Sequence, residues 1–423
     1  MTTNRGNPPF PEATSQRLAE IGRADILVGI PSYRNERTIG HVALTAAEGM
    51  ARYFPELRGV LMNSDGGSPD ETRQVVADTP VPPGVEKVVT VYQGLSGKGS
   101  AFRAIFAAAV ALGVRAVVVV DSDLRSITPE WIERLAGPVL REGYDYVTPY
   151  YTRHKYDGTI TNTIVYPLTR MLYGVDVRQP IGGDFGFSGR LAKTFLERGD
   201  WESDVARYGI DIWMTTTAIN ESSRVCQARL GVKVHDTKDP AEALGPMFVQ
   251  VVGTLFALMR IYEHRWRQTS SIKCIPIYGS EMEGEPEPVP VTVSSMIAKL
   301  HAGTEEYRPL WRQILTDETQ SLLEALLARP EADYHFPPGD WARTVLDFAV
   351  AFHWSDLPPA EVVRAMTPLY YGRTASLVLE STNFSSAEFE AQVVAGLAHS
   401  FEEARPYLLA RWEQARGQRN GHA

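Results

Sequence analysis

Four short apolar runs, each followed by a polar or helical stretch, constrain this chain more than any other feature. They are ILVGIP (Ile26 to Pro31), GVLMNS (Gly59 to Ser64), KVVTVY (Lys87 to Tyr92) and AVVVVDSD (Ala116 to Asp123). Continuous runs of this length suit strands buried on both faces of a parallel sheet. The intervening stretches, such as IGHVALTAAEGMARYF and GSAFRAIFAAAVALG, carry Ala and Leu at helical spacing. Alternating strand and helix specifies a doubly wound, Rossmann-like α/β domain. Ligands of such sheets gather beyond the carboxyl ends of the strands. The first, second and fourth runs each end in a polar motif, so candidate chemistry stands where this fold presents it.

The 423 residues leave room for two or three domains. Residues 1–24 are rich in Pro, Asn and Thr and read as a flexible N-terminal arm. Residues 25–282 read as the main α/β domain, less regular from Gly143 to Met247. EGEPEPVPVTV (residues 283–293) reads as a Pro-rich linker. Amphipathic segments then predict a helical C-terminal domain over 294–423. The formal net charge of -9, with no Lys/Arg-rich block, argues against nucleic acid as a partner. Two cysteines, Cys226 and Cys274, are too few for a thiolate zinc site or a disulfide framework. No run reaches the length of a membrane span, and MTTNRGNPPFPEATSQ lacks the apolar core of a signal peptide. The expectation is a cytoplasmic protein with no membrane partner.

Six motifs carry candidate chemistry. Asp121-Ser122-Asp123 sets two carboxylates where the fourth strand stops, an arrangement for a hard divalent cation on a diphosphate. A turn or helix cap with Ser126 and Thr128 is the plainer alternative. His235 ends LGVKVHD, where Leu230, Val232 and Val234 alternate as in a strand, and its imidazole could complete the same coordination. A core or surface histidine is the commoner case. Pro31-Ser32-Tyr33-Arg34-Asn35-Glu36 offers amides and a carboxylate to a nucleoside, or simply caps the next helix. In Asn63 to Thr72 the glycines permit close approach of a base or ribose, Asp65 is a candidate acceptor, and Ser68 with Pro69 marks a helix start. Gly97-Lys98-Gly99-Ser100 opens a helix with a lysine able to meet a phosphate or base carbonyl. Its spacing fails the P-loop pattern, which excludes that class of ATPase or kinase. Last, Gly182-Gly183-Asp184 and Tyr208-Gly209-Ile210-Asp211 place acids beside glycines, as a floor accepting bonds from sugar hydroxyls requires.

In order, PSYRNE, DGGSPDET, GKGSAFR, DSD, QPIGGDFGFSGR, YGIDIWMTT and LGVKVHD resemble the retaining GT-A glycosyltransferases that make glycosylglycerates, over about residues 25–245. That group includes mannosylglycerate, glucosylglycerate and glucosyl-3-phosphoglycerate synthases. The resemblance implies a GT-A nucleotide-diphospho-sugar transferase domain with a helical C-terminal domain. It implies a divalent metal, Mg²⁺ or Mn²⁺, on Asp121, Asp123 and His235. It also implies a UDP- or GDP-hexose donor held by Pro31, Ser32, Glu36, Asp65, Lys98, Ser122 and Asp184. Asp211 and Asp184 match acids around the donor sugar, and either is a candidate nucleophile, although same-face attack is the favoured route to retention. Arg153 matches an arginine that clamps the acceptor carboxylate, with Asp157, Gly158 and Thr161 completing the loop. Asp123, Asp211 and Arg153 are therefore the expected catalytic set.

Phosphoglycerate-using relatives carry Gly-Arg-x-Thr in that loop, whereas this chain reads Gly158-Thr159-Ile160-Thr161. The expected product is an α-glycosylglycerate compatible solute made from D-glycerate or a similar hydroxy acid. Lys155 or His154 could stand in for the missing arginine, which keeps 3-phosphoglycerate as the alternative. A nucleotidyltransferase or a non-catalytic nucleotide-sugar binder is the alternative from another class. A homodimer through the C-terminal helices is a further expectation of the resemblance.

Overall fold

The computed structural model describes residues 8–221, 223–235, 244–282 and 284–421. Its strands are β1 (Ile26–Ser32), β2 (Gly59–Asp65), β3 (Val85–Val91), β4 (Ala116–Val119), β5 (Tyr146–Thr152), β6 (Val175–Asp176), β7 (Phe185–Ser188), β8 (Val225–Val232), β9 (Lys273–Cys274) and β10 (Ile277–Tyr278). The first eight α-helices are α1 (Glu12–Ile21), α2 (Ile39–Tyr53), α3 (Thr72–Asp78), α4 (Lys98–Leu112), α5 (Pro129–Glu142), α6 (Tyr166–Tyr173), α7 (Gly189–Arg198) and α8 (Ile210–Asn220). Eight strands form one sheet in the order β10-β8-β5-β7-β4-β1-β2-β3. All pairings are parallel except those of β7, which runs antiparallel to both β4 and β5. All four apolar runs are strands of this sheet.

Burial on both faces explains their composition. Ile26, Val28, Ile30, Leu61 and Val118 share one core with Val42, Met50, Trp131, Ile132 and Leu135 of the covering helices. Pro31 does not end β1, as the sequence reading has it: it pairs in register with Ser64. Gly29 gives its carbonyl to Val120 N, so Pro31, of the same parity, points toward the β4 side. The β4 ladder has stopped at Val119 by that register, and the missing N–H forfeits no bond.

The chain divides into two compact units, and the boundaries differ from the expected ones. One comprises Met1–Thr152, Val177–Asp236 and Ile275–Pro286; the other comprises Arg153–Asp176, Thr237–Cys274 and Glu287–Ala423. The segment carrying Arg153 to Thr161 thus belongs with the C-terminal helices, because its apolar side chains pack there: Tyr156 and Tyr166 share a core with Val289, Leu377, Val378 and Phe389. Val289 is buried, so the Pro-rich stretch contributes to that core instead of only linking. Glu283 lies outside the described residues. The expected N-terminal arm is also structured from Glu12. Leu18 and Ile21 give α1 a buried face that Pro/Asn/Thr composition hides, and Thr14 Oγ1 lies 2.7 Å from Thr90 Oγ1 on β3. No described helix is long and apolar enough to cross a membrane.

The β7 strand fits because Gly186 has no side chain. A Cβ there would lie 2.0 Å from the carbonyl oxygen of Leu135 in α5, a backbone atom with little freedom to move. Gly186→Ala should cost about 2 kcal/mol or more of unfolding free energy by the overpacking mechanism. Urea denaturation measures it, and a loss under about 0.5 kcal/mol would show that α5 does not press on β7 in this way.

Candidate active site

The site grows from the carboxyl ends of β1, β2 and β4. At the first two, Asp65 is fully buried and organises the loops around itself. Its Oδ1 accepts from Gly67 N (2.8 Å) and Ser68 N (2.6 Å); its Oδ2 accepts from Ser32 Oγ and Ser68 Oγ, both at 2.7 Å. Asn63 Nδ2 in turn donates to Ser32 Oγ at 2.8 Å. Glu36 accepts from Glu71 N at 3.1 Å and so ties the β1 loop to the start of α3. Arg34, the only non-glycine residue with positive φ among the described residues (59°), gives its N–H to Ser68 Oγ. The expected role of Asp65 as a nucleoside acceptor is therefore revised. Its lone pairs are taken by the loops, which it holds in shape.

Asn35 joins this half to the acidic half, because its Oδ1 accepts from Ser122 Oγ at 2.8 Å. Thr38 Oγ1 donates to the Ser122 carbonyl at 2.8 Å. Around Asp121 the described residues gather four carboxylates and two ammonium groups. Lys98 Nζ lies 2.8 Å from Asp121 Oδ1 and 3.4 Å from Asp211 Oδ1. Lys233 Nζ lies 2.9 Å from Asp121 Oδ2, 2.9 Å from Asp184 Oδ2 and 2.8 Å from the Gly182 carbonyl. Asp184 is fully buried; its Oδ1 accepts from Asp121 N at 2.8 Å and its Oδ2 also accepts from the Tyr151 hydroxyl. Asp211, in the first turn of α8, accepts from Gly183 N at 2.9 Å. Asp184 thus braces the cluster from within, whereas the sequence reading has it offering oxygens to a sugar.

The glycines flanking these groups are required by contact. A Cβ on Gly183, where φ is +87°, would stand 2.0 Å from Asp121 Oδ2. One on Gly99 would stand 1.8 Å from the Val205 carbonyl, and one on Gly97 2.6 Å from that of Ala206. Lys98 lies between glycines because the N-terminus of α4 presses against the 205–207 backbone, an approach only glycine allows.

The electrostatics divide the acids. Burial alone would push Asp121 up, but the ammonium groups of Lys233 and Lys98 pull it far below the usual carboxylate range. Burial likewise disfavours charge on Lys98, yet Asp121 and Asp211 overcome it and raise its pKa. Asp123 is pushed up by burial and by Asp121, an effect that Lys233 and His235 only partly offset. Asp211 is raised by burial, against the pull of Lys98.

This changes the expected metal set. Both Asp121 oxygens are engaged by lysines. Among the described residues no three His, Cys, Asp or Glu side chains gather as a ready-made metal site. What is present is a pair, Asp123 and His235, in which burial and Asp121 raise the carboxylate while the imidazole counteracts them. Residues 236–243, just beyond His235, lie outside the described residues.

In the second unit the expected acceptor residues do assemble. Arg153 Nη1 lies 3.1 Å from Asp157 Oδ2. Gly158, at φ +72°, turns the chain so that its Cβ position stands 3.6 Å from Arg153 Nη1 and 3.7 Å from Thr161 Oγ1.

Residues 28–191, which span most of β1 through β7 and most of the acidic cluster, match the family model described as glycosyl transferase family 2. Over that segment the chain is similar to the glycosyltransferase domains of that family. The chain is 26% identical over 273 residues to the glucosyl-3-phosphoglycerate synthase of Mycolicibacterium smegmatis, covering 61% of this chain and 84% of that protein. It is 23% identical over 261 residues to the enzyme of the same name from Petrotoga mobilis, covering 58% and 77%. Among solved structures it is similar to the Mycobacterium tuberculosis glucosyl-3-phosphoglycerate synthase in complex with Mn²⁺, UDP and phosphoglyceric acid. That match has 25% identity, a TM-score of 0.44, and covers 60% of this chain and 84% of the other.

Two members of the charged cluster escape a motif reading. Lys233 stands among alternating apolar residues two positions before His235 and reads there as a strand's outward polar residue, but it is buried. Tyr151 follows the irregularity in the β5–β8 ladder between Tyr150 and Tyr151, which re-aims its hydroxyl at Asp184. A lysine inside an apolar strand just before a candidate ligand is the available signal. Lys233→Met should leave Asp121 and Asp184 under-compensated and cost about 3–5 kcal/mol of stability at neutral pH. Because the folded Asp121 pKa is depressed, its contribution is present above the ordinary value of 3.8 and is lost as pH falls toward the folded value. The variant's stability should accordingly vary less with pH on the acid side than the wild type's. A chemical-denaturation loss below about 1 kcal/mol would contradict this assignment.

Proposed function

We propose that the chain is a metal-dependent glycosyltransferase that moves glucose from a nucleoside diphosphate donor to a hydroxyl of a glycerate-class acid, with retention. The observation that carries the reading is the charge arithmetic of the cluster: among the described residues, four carboxylates (Asp121, Asp123, Asp184, Asp211) against two ammonium groups (Lys98, Lys233) leave two negative charges. A divalent cation matches that excess, and Asp123 with His235 fits it as a hard-oxygen and imidazole pair. Mg²⁺ or Mn²⁺ takes more ligands than these two described side chains, and donor oxygens would be among the rest. Bound there, the ion would supply neutralisation of charge on the departing diphosphate.

The chain's own residues do the rest. The loops braced by Asp65, with Pro31, Ser32 and Glu36, form the nucleoside side. Lys98 holds Asp121 and Asp211 in place and gives the cluster a cation at the start of α4. Arg153, with Asp157, Gly158 and Thr161, presents a guanidinium to the acceptor carboxylate. Asp184 is held by Tyr151, Lys233 and Asp121 N, a poor state for a nucleophile, and Asp211 is held by Gly183 N and Lys98. Both facts favour attack from the face the diphosphate leaves over a covalent intermediate.

3-Phosphoglycerate is the first acceptor to test, because both curated relatives act on it by name. One observation favours unphosphorylated D-glycerate as a second reading. Lys155 Nζ is engaged by the carbonyls of Ser381, Thr382 and Phe384 at 2.6, 3.0 and 2.8 Å. His154 Nδ1 lies 3.3 Å from the N–H groups of both Tyr156 and Val289, and burial, helped by Lys155, holds the ring's pKa below its usual value. Of the cations in 153–161, Arg153, paired with Asp157 at 3.1 Å, is then the one this reading assigns to the acceptor carboxylate.

A grid of UDP- and GDP-hexoses against glycerate, lactate and 3-phosphoglycerate, with Mg²⁺ or Mn²⁺ and with EDTA, tests the reading. It should yield acceptor-dependent release of nucleoside diphosphate that EDTA abolishes. Asp123→Ala and His235→Ala should each lower kcat/KM on the order of a hundredfold or more. Pyrophosphate release would mark a nucleotidyltransferase instead, and donor binding without turnover a sensor. Since Asp123 must be ionised to ligate and its pKa is raised, metal affinity should fall as pH drops through a range above 3.8.

A further inference from the structure

Acceptor residues and anchoring residues interleave along the segment that follows β5. Arg153, Asp157, Gly158 and Thr161 cluster together, while Lys155, Tyr156, Thr159 and Thr163 all reach into the C-terminal helices of the same unit. The Lys155 ammonium sits past the end of the helix Pro359–Glu380 and takes three of the carbonyls that follow it. This is the cation position that both the unpaired carbonyls and the negative end of a helix dipole favour. Tyr156 OH donates to the carbonyl of Val378, in the same helix, at 3.3 Å. Thr159 Oγ1 lies 2.6 Å from Tyr370 OH, both fully buried, and Trp341 Nε1 donates to the Thr163 carbonyl at 2.8 Å.

A short segment held at Lys155, Tyr156 and Thr159 by one helix and the turn that follows it has little conformational freedom of its own. The 22-residue helix Pro359–Glu380 is buried along most of its length, so it is a fixed support. We propose that this helix sets the shape of the acceptor loop, and that Lys155 and the Thr159–Tyr370 pair are positioning residues for acceptor recognition. The helical region is then a working part of the transferase, not an appendage to it. The proposal rests on the reading of Arg153 to Thr161 as the acceptor loop.

Steady-state kinetics of the full chain separate anchoring from general structure. Lys155→Met should raise the acceptor KM roughly tenfold or more and leave the donor KM within about twofold, since misplacing the loop costs acceptor alignment only. Lys155→Arg, which keeps a cation on the carbonyls, should recover most of that loss. Tyr370→Phe deletes one hydroxyl and should act in the same direction; it decides the matter if Lys155→Met does not fold. An acceptor KM unmoved by these variants, or a donor KM that rises in step with it, would overturn the proposal. Arg153→Ala tests the reading beneath: if it leaves the acceptor KM unchanged, the loop is not the acceptor loop and both ideas fall. If Arg153→Ala raises it and the anchor variants do not, only the anchoring fails.

Discussion

The grip of Lys98 and Lys233 on the two oxygens of Asp121 is the interaction on which the rest of the site depends. An aspartate at the end of a buried strand is costly in isolation, and the two ammonium groups stabilise its ionised form. From there the arrangement propagates. Lys233 also holds Asp184, whose other oxygen takes the Asp121 amide, so the end of β4, the Gly182-Gly183 turn and the segment after β8 close on one another. Lys98 carries the constraint to α4 and α8 through Asp211. Five distant pieces of chain are thereby fixed by a few charge-assisted bonds.

The same network explains why the cluster is not self-sufficient. Two lysines satisfy Asp121, Asp184 and, in part, Asp211, but Asp123 keeps an elevated pKa with a histidine beside it. A site assembled this way is rigid where it needs no ligand and electrically unfinished where one is expected. The glycines belong to the same logic, since Gly183 lets Asp121 approach the turn and Gly99 lets α4 close on 205–207.

Much of this is legible in the sequence where the signal is local. Strands buried on both faces appear as ILVGIP and AVVVV, and their carboxyl ends point to the motifs. Motif membership does not reveal the job of each side chain. Asp65 and Asp184 stand in the motifs, but their partners (Ser68, Tyr151, Lys233) come from turns and a ladder irregularity that spacing does not encode. Lys233 escapes notice because its flanking Val232 and Val234 make it look like the solvent side of a strand. The unit boundary is hidden for a related reason: Tyr156, Thr159 and Thr163 find partners some two hundred residues away, such as Val378, Tyr370 and Trp341.

Calorimetric titration of Mn²⁺ into the wild type, with and without saturating nucleoside diphosphate, tests the central claim most directly. The proposed ligand pair, Asp123 and His235, with a carboxylate only partly compensated, predicts weak binding of the ion alone and at least roughly tenfold tighter binding with the nucleotide, a synergy that disappears in Asp123→Asn. Equal affinity with and without nucleotide, untouched by that substitution, would contradict the account.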